Sequence, residues 1–153
     1  VMGVHLRGAF NMTKAVQKHM TEANFGRIVN LSSVSALGNR GQANYSAAKA
    51  GLVAYAKALA VELGGKGVRA NVIAPGSVRT PAWDHRLEAD PQLLDKVLPH
   101  YPLGRLVSPA EVANTAVFLA SDASSGITGV TIPVDAGLTA GNLRFVDDVL
   151  RGK

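Results

Sequence analysis

Hydrophobic and polar residues alternate along this chain in blocks that predict helices and strands in turn. Short apolar runs bounded by glycine, proline or polar residues predict buried strands at residues 27–32, 68–74 and 129–134. Apolar residues at helical spacing predict helices at residues 1–23, 42–64, 91–98 and 108–121. The last helix also carries a capping-box signal in Ser108 and Glu111. Strands alternating with helices predict an α/β fold in which a parallel sheet is covered on both faces.

Composition narrows the class of protein further. The 153 residues are 47% hydrophobic and 18% charged, which suits one globular domain. No apolar run is long enough to span a membrane, and no signal peptide is recognisable at the start, so we expect no membrane partner. The net charge of +5 is scattered without a basic run, which disfavours nucleic-acid binding. The absence of cysteine excludes thiolate metal sites and makes the cytoplasm the expected location.

Tyr45 and Lys49 are the residues that point most clearly to chemistry. They are four positions apart in a predicted helix, so they share one face with Cβ atoms roughly 5–6 Å apart. The positive charge of the ammonium favours the phenolate form of the tyrosine. A serine hydroxyl at the end of a neighbouring strand, in Leu31-Ser32-Ser33, is then expected to share a carbonyl oxygen with the phenol. This combination predicts proton transfer for an alcohol/ketone couple.

Several motifs in sequence order carry a resemblance to a known family. The strand that ends in Ser32-Ser33 is followed by the segment Gly38 to Lys49 (GNRGQANYSAAK) and later by Asn71 to Gly76 (NVIAPG). Together they resemble the short-chain dehydrogenase/reductase family, most closely its 3-oxoacyl-carrier-protein reductase branch. The resemblance runs from residue 1 to about residue 141. It implies a Rossmann-type doubly wound parallel sheet and an NAD(P)-dependent oxidoreductase acting on a 3-oxoacyl, steroid-like or other small carbonyl substrate.

The resemblance covers only the C-terminal part of the family's single domain. The glycine-rich phosphate turn and the residue that discriminates NAD from NADP are expected upstream of Val1, so the cofactor is left as NAD or NADP. We therefore interpret residues 1–153 as the C-terminal half of a Rossmann-type domain with about three strands. We expect this chain to be inactive alone.

The family's catalytic residues map onto Tyr45 as acid/base, Lys49 as its activating cation and ribose ligand, and one of two serines. Counted from the strand, Ser33 matches the catalytic position, but Ser32 has the family's usual spacing of thirteen residues before the tyrosine. We favour Ser33, because a loop absorbs a deletion more easily than a strand changes register. His5 stands where relatives often have an asparagine that holds a relay water. Its expected role is either that relay or local packing.

The resemblance also implies a nicotinamide-binding segment, which begins after the second strand. Its residues are Pro75, Gly76, Val78 and Thr80, together with Tyr45 and Lys49. Trp83 enters the expected substrate lid, either as a pocket wall or as packing. No metal site is expected, because the histidines lack ligand spacing.

Oligomerisation and two alternative functions complete the expectations. The resemblance implies a homodimer or homotetramer formed through the helices at 1–23 and 42–64. One alternative is a non-catalytic remnant that only mediates association, and another is an isomerase or dehydratase on the same triad. Residues 142–153, which follow the family-like ending Asp135-Ala136-Gly137, are expected either to cover a neighbouring subunit or to fray.

Overall fold

A computed structural model describes residues 1–141; residues 142–153, including the expected subunit-covering tail, lie outside the described part. Its centre is a three-stranded parallel sheet with the order β1-β2-β3. The strands are β1 (Gly26–Leu31), β2 (Val68–Pro75) and β3 (Thr131–Val134). The predicted α/β class and its three strands are confirmed.

The central strand fixes the register of the other two. Gly26 pairs with Val68 and Leu31 with Ile73, while Val72 pairs with Thr131. All eight residues of β2 are buried, as expected for a strand with neighbours on both edges and helices on its faces. Since parallel strands end on the same side, the carboxyl ends of β1 and β2 form one edge of the sheet.

β3 begins two residues later than the predicted start at residue 129. Gly129 has φ +74°, outside the strand region, and its N–H donates to Ala70 O at 2.8 Å. The next N–H, that of Val130, donates to the Asn71 side chain at 3.2 Å. The apolar pattern therefore continued into a turn that the side chain of Asn71 holds, which gives that residue a structural role.

The positions of the helices agree with the predictions better than their number does. A π-helical turn (Gly3–Arg7) precedes α1 (Gly8–Glu22), so the predicted helix at 1–23 is not uniform. α2 (Ala43–Leu63) and α5 (Pro109–Ala120) match their predictions within one residue at each end. The predicted helix at 91–98 is shorter, forming α4 (Leu93–Val97) followed by a 3-10 turn at Leu98–His100.

The sequence analysis missed α3 (Ala82–Ala89), in the lid segment after β2. Its only buried residue is Trp83, so there is no repeated apolar stripe for a periodicity argument to detect. Trp83 packs with Tyr101 and Leu106, and this apolar cluster joins α3 to the following loop. The tryptophan is 6% exposed and therefore contributes packing to the lid.

Helix α2 rests on the sheet through one buried face. Small residues on that face let the helix approach closely, and Leu52, Leu59 and Leu63 fill the space between them. Burying each leucine contributes about 2 kcal/mol. The main apolar cluster consists of Ile28, Leu59, Ala60, Leu63, Val68 and Ala70, with Met20 and Tyr55 against it. This packing holds the helix that carries Tyr45 and Lys49 against β1 and β2.

A buried arginine ties the end of α5 to the central strand. Arg69 is 8% exposed, and its guanidinium donates to the carbonyl oxygens of Leu119, Ser121 and Ile127 at 3.1, 2.9 and 2.9 Å. Burial lowers the pKa of this guanidinium, and the charge of Arg27 lowers it further. Main-chain carbonyls at the end of a helix carry partial negative charge, which accounts for a cation in this position.

The loop after β3 contains one strained residue. Ala136 has φ +53°, a left-handed conformation that costs about 1 kcal/mol for a residue with a Cβ atom. The neighbouring Asp135 carboxylate stabilises the turn by accepting hydrogen bonds from Gly137 N–H, Thr139 N–H and the Thr139 hydroxyl. Ala136 thus stands at a position where glycine would be the easier residue.

The capping box predicted for α5 is confirmed. The Ser108 hydroxyl accepts from Glu111 N–H, and the Glu111 carboxylate accepts from Ser108 N–H. Both terminal nitrogens of the Arg105 guanidinium donate hydrogen bonds to the same carboxylate, at 2.9 and 2.7 Å. The bonds from Arg105, followed by the one from Ser108, lower the pKa of Glu111 from 4.5 to about 2.

Glu111→Gln is expected to lower the melting temperature of the protein at pH 7. The difference in melting temperature from wild type is expected to shrink as the pH falls. A carboxylate with a depressed pKa contributes stability above its ordinary value near 4.5, and this contribution is lost as the pH drops toward 2. Thermal unfolding of the two proteins from pH 7 downward measures the difference. Glu62→Gln, at an exposed position on α2, is the matched control and is expected to show no such trend. A gap between wild type and Glu111→Gln that widens in acid contradicts the assignment.

Candidate active site

The candidate residues collect at the carboxyl edge of the parallel sheet. Ser32 N–H donates to Ile73 O at 2.8 Å, which extends the ladder between β1 and β2 by one residue. Ser33 follows directly and begins a 3-10 turn at Val34–Leu37. The segment after Pro75 leaves the same edge. Crevices in open α/β sheets form at this side.

Lys49 is held at this edge by the main chain of β1. Its Nζ donates to Leu31 O at 2.8 Å, and the residue is only 6% exposed. Burial lowers the pKa of Lys49, because the charged form loses hydration. An ammonium has three N–H donors and Leu31 uses one of them. Lys49 therefore presents a fixed positive charge with two donors left for a ligand.

Tyr45 lies one helical turn before Lys49 and on the same face of α2. The Lys49 Nζ is 5.5 Å from the centroid of the Tyr45 ring, within the range of a cation–π contact. Tyr45 is half-buried, so part of the residue remains open to solvent. The structure thus brings together the pair that the sequence singled out.

The two serines have different surroundings. The Ser32 hydroxyl is buried, and it donates to Lys49 O at 2.8 Å, so its proton is already used. Ser33 is half-buried, and its Oγ accepts from Ser35 N–H at 3.1 Å, which leaves its own proton free for another acceptor. Among the contacts found within residues 1–141, none joins Ser33 to Tyr45 directly.

Ser33 also lines an apolar cavity of about 340 Å³ between α2 and the edge of the sheet. The remaining walls are mainly small or aliphatic and include Leu37, Ala50, Val53, Ala74 and Pro133. Such a cavity is large enough for part of a small organic molecule. Neither Tyr45 nor Lys49 lines it, so Ser33 is the one proposed catalytic residue in its walls.

His5 reaches the pair from the π-helical turn. Its ring centroid is 5.6 Å from that of Tyr45, with the planes at 89°, an edge-to-face arrangement. Burial is the main cause that lowers the pKa of His5, and the charge of Lys49 lowers it further. The imidazole is therefore neutral near pH 7. Of the four predicted catalytic residues, the structure places His5 and Lys49 each beside the ring of Tyr45.

The segment after β2 exposes main-chain hydrogen-bonding groups at Val78. Val78 forms an isolated parallel bridge with Val107, in which Val107 N–H donates to Ser77 O and Arg79 N–H donates to Val107 O. In such a bridge the N–H and C=O of the middle residue point to the other side. No main-chain hydrogen bond of Val78 is found in the part of the chain that the structure describes.

Gly76 has a packing role at the end of β2. A Cβ atom there would lie 3.0 Å from the Cα and Cβ atoms of Asp135. The absence of a side chain therefore allows β2 and the loop after β3 to approach each other. Pro75 is the last residue of β2, and Thr80 begins the approach to α3, where its carbonyl accepts from Trp83 N–H.

Neither a metal-binding cluster nor a membrane-spanning helix is found in the described residues. Among residues 1–141 no group of three or more histidine, aspartate or glutamate side chains is arranged to hold a metal ion. In the same range no helix combines the length and the apolarity needed to cross a bilayer.

The family of this chain follows from its similarity to known proteins. A family model described as enoyl-(acyl carrier protein) reductase matches residues 1–139. A crystal structure of an oxidoreductase of the short-chain dehydrogenase/reductase family from Burkholderia thailandensis superposes with a TM-score of 0.93 at 43% identity, covering 98% of this chain and 59% of the other. The chain belongs to the short-chain dehydrogenase/reductase family.

Relatives in this family are named as enzymes of acyl thioesters. The chain is 44% identical to the 3-oxoacyl-[acyl-carrier-protein] reductase FabG of Thermotoga maritima, over 90% of its own length and 55% of the relative. It is 46% identical to the acetoacetyl-CoA reductase of Shinella zoogloeoides, over 90% and 56% respectively. A (2S)-[(R)-hydroxy(phenyl)methyl]succinyl-CoA dehydrogenase subunit of Thauera aromatica is also 46% identical, over 89% and 54%. The chain thus spans about half the length of these relatives.

Sequence reasoning missed two parts of the site. The Leu31 carbonyl that anchors Lys49 belongs to the main chain, so no residue type signals it. The close packing of Leu6 on Gly51 also cannot be recognised from the sequence. A Cβ atom at Gly51 would lie 2.9 Å from Leu6 Cδ2. A glycine inside a strongly helical pattern is the one available hint, since glycine weakens a helix and needs a packing reason.

Ser32→Ala is expected to destabilise the protein by about 1 kcal/mol, because it removes a buried hydrogen bond to Lys49 O. Chemical denaturation followed by circular dichroism measures the change. Ser46→Ala is the matched control on α2, because the buried Ser46 Oγ finds no hydrogen-bond partner within residues 1–141. That control is expected to be neutral or stabilising. Equal losses from both substitutions would show that the Ser32 bond contributes nothing particular.

Proposed function

We propose that the protein is an NAD(P)-dependent oxidoreductase that interconverts an alcohol and a ketone. The observation that carries the proposal is the Tyr45 ring beside a buried ammonium that the Leu31 carbonyl fixes in place. Relatives named for 3-oxoacyl and acetoacetyl thioesters favour a 3-oxoacyl thioester over the steroid-like and other small carbonyl substrates. Their names also favour an enzyme over a non-catalytic interaction module.

In this proposal Tyr45 is the general acid of ketone reduction and the general base of the reverse reaction. Its hydroxyl gives a proton to the substrate oxygen as that oxygen gains negative charge. The buried Lys49 ammonium stabilises the phenolate that remains, and low local polarity strengthens this effect. Positive charge near the ring is therefore needed in both directions of the reaction.

Ser33 is the proposed second donor to the substrate oxygen. Its hydroxyl proton is free, whereas the proton of Ser32 is directed at Lys49 O. This difference in surroundings supports the choice of Ser33 that the strand alignment suggested. The apolar cavity beside Ser33 offers room for the carbon chain of a substrate.

The residues around the sheet edge fit a nicotinamide cofactor. Lys49 retains two N–H donors for ribose hydroxyls, and Val78 offers an unpaired main-chain N–H and C=O for a carboxamide. Pro75, Gly76 and Thr80 border the same place in this proposal. The cofactor, NAD or NADP, supplies the hydride. Tyr45, one helical turn before Lys49, completes the set of residues that would hold the cofactor.

We also propose that the protein is a cytoplasmic homodimer or homotetramer. The helices at 1–23 and 42–64 leave large apolar side chains exposed, which favours contact with a partner. These side chains are Val4, Phe10, Met12, Val16 and Val61. The lack of cysteine in all 153 residues agrees with a reducing compartment.

Tyr45→Phe in the full-length protein is expected to lower kcat by about 10²-fold or more, since it removes the proton that is transferred. Reduction of acetoacetyl-CoA with NADPH and with NADH, followed by cofactor absorbance, measures turnover. Cofactor fluorescence is expected to show nearly unchanged binding. Lys49→Met is the companion variant and is expected to weaken both cofactor binding and rate.

Two results would contradict this function. Turnover of wild-type magnitude in Tyr45→Phe removes the phenol from the mechanism. Unchanged rate and unchanged cofactor affinity in Lys49→Met remove the dual role of the ammonium. Ser33→Ala is expected to lower kcat strongly without changing cofactor affinity, while Ser32→Ala is expected to act mainly on stability.

Met12→Glu in the full-length protein is expected to shift the oligomer toward monomers, because it places a charge at an exposed apolar position of α1. Sedimentation velocity measures the assembly state over a range of concentrations. Leu103→Glu is the control, since Leu103 is similarly exposed but lies outside both helices. Identical sedimentation of wild type and Met12→Glu would locate any interface elsewhere.

A further inference from the structure

The orientation of the Tyr45 ring depends on contacts to the ring itself. No hydrogen bond of the Tyr45 hydroxyl is found among residues 1–141, although the residue's main-chain N–H donates to Asn44 Oδ1 at 2.8 Å. Two groups contact the ring: the Lys49 ammonium at 5.5 Å and the His5 imidazole at 5.6 Å from its centroid. A phenol free to rotate about its side-chain bonds would present its oxygen to a substrate only part of the time.

The π-helical turn delivers His5 to the ring. Helices rarely contain π turns, and where they occur they often mark functional sites. Here the turn spans Gly3–Arg7 and is followed directly by α1. Leu6, the next residue, packs on α2 at Gly51, where any side chain would meet it at 2.9 Å. The turn is thus seated on the same helix that carries Tyr45, two turns further along.

We propose that His5 is a positioning residue for Tyr45, holding the phenol ring through the edge-to-face contact that the π turn and its seat on Gly51 create. The inference rests on the proposed function, because it assigns a role toward the proposed acid/base. It differs from the relay role, in which an imidazole nitrogen holds a water. Positioning needs the ring of residue 5, whereas a relay needs one of its nitrogens.

The charges around His5 agree with a positioning role. The charge of Lys49 on α2 acts on the imidazole and favours its neutral form. Burial acts in the same direction and more strongly, so the pKa of His5 lies below its ordinary value. A neutral ring does not compete with the Lys49 ammonium for the face of Tyr45.

Two substitutions of His5 separate positioning from relay. His5→Phe keeps an aromatic ring and removes both nitrogens, and we expect its kcat to stay within about twofold of wild type. His5→Asn keeps a polar group and removes the ring, and we expect its kcat to fall about tenfold, on the order of one aromatic pair. Cofactor affinity is expected to be unchanged in both. A relay predicts the opposite order.

Gly51 allows a second test, at a residue that has no proposed part in the reaction. Gly51→Ala places a methyl group against Leu6 and is expected to displace the π turn, with lower kcat and unchanged cofactor affinity. Leu6→Ala in the same protein opens the space again and is expected to restore much of the lost rate. Gly65→Ala is the matched control, because a Cβ atom there meets nothing within 4 Å.

The experiment uses the full-length protein, with acetoacetyl-CoA and both reduced cofactors for kinetics, and thermal unfolding to confirm that each variant folds. ¹³C-tyrosine NMR adds a readout that needs no turnover, with the Tyr45 signal assigned by its loss in Tyr45→Phe. We expect one sharp Tyr45 signal in wild type and His5→Phe, and a broadened or split signal in His5→Asn.

Each possible result decides the matter. A large loss of kcat in His5→Phe, or wild-type kcat in His5→Asn, overturns the positioning role. An unchanged Tyr45 signal in His5→Asn does the same, whatever the activity. If Tyr45→Phe stays active while the NMR signal responds to His5→Asn, the contact is real and the proposed function fails instead.

Discussion

The hydrogen bond from the Lys49 ammonium to the Leu31 carbonyl is the interaction on which the site depends. A buried ammonium without an acidic partner is costly to desolvate. The carbonyl at the end of β1 offsets part of that cost and fixes the charge relative to the sheet. The Ser32 hydroxyl, bonded to Lys49 O, attaches the same residue a second time. The end of one strand and the first turns of one helix therefore form a single rigid unit.

This arrangement explains why the sheet register matters for the chemistry. A shift of one residue in β1 would move the Leu31 carbonyl along the strand and turn every side chain of β1 to the opposite face of the sheet. The register itself follows from pairing with the fully buried β2, whose position is set by the cluster around Leu59 and Val68. Packing some distance from the edge thus determines where the ammonium is held.

Much of the fold was predictable because its long elements have clear periodicity. α2, α5 and the strands β1 and β2 were found within one or two residues, and the capping box was read directly from Ser108 and Glu111. α3 was missed because a single buried tryptophan makes no repeating pattern. The π turn was missed since its extra residue per turn does not change which residues are apolar.

The site was predictable to the extent that side chains carry it. Tyr45, Lys49 and His5 were named from residue types and family motifs, and they lie in contact. Spacing alone left two serines open, because a deletion in a loop and a shift in a strand give the same count. Only their surroundings distinguish a hydroxyl that is already bonded from one that is free.

The bridge at Val78 has a consequence for how this protein tolerates change. The exposed N–H and C=O belong to the peptide backbone, so replacing the valine side chain leaves them in place while Ser77 and Arg79 stay paired with Val107. Proline is the exception, since it has no N–H to offer. Variation of the side chain at this position therefore says little about its importance, because every residue other than proline supplies the same main-chain N–H and C=O.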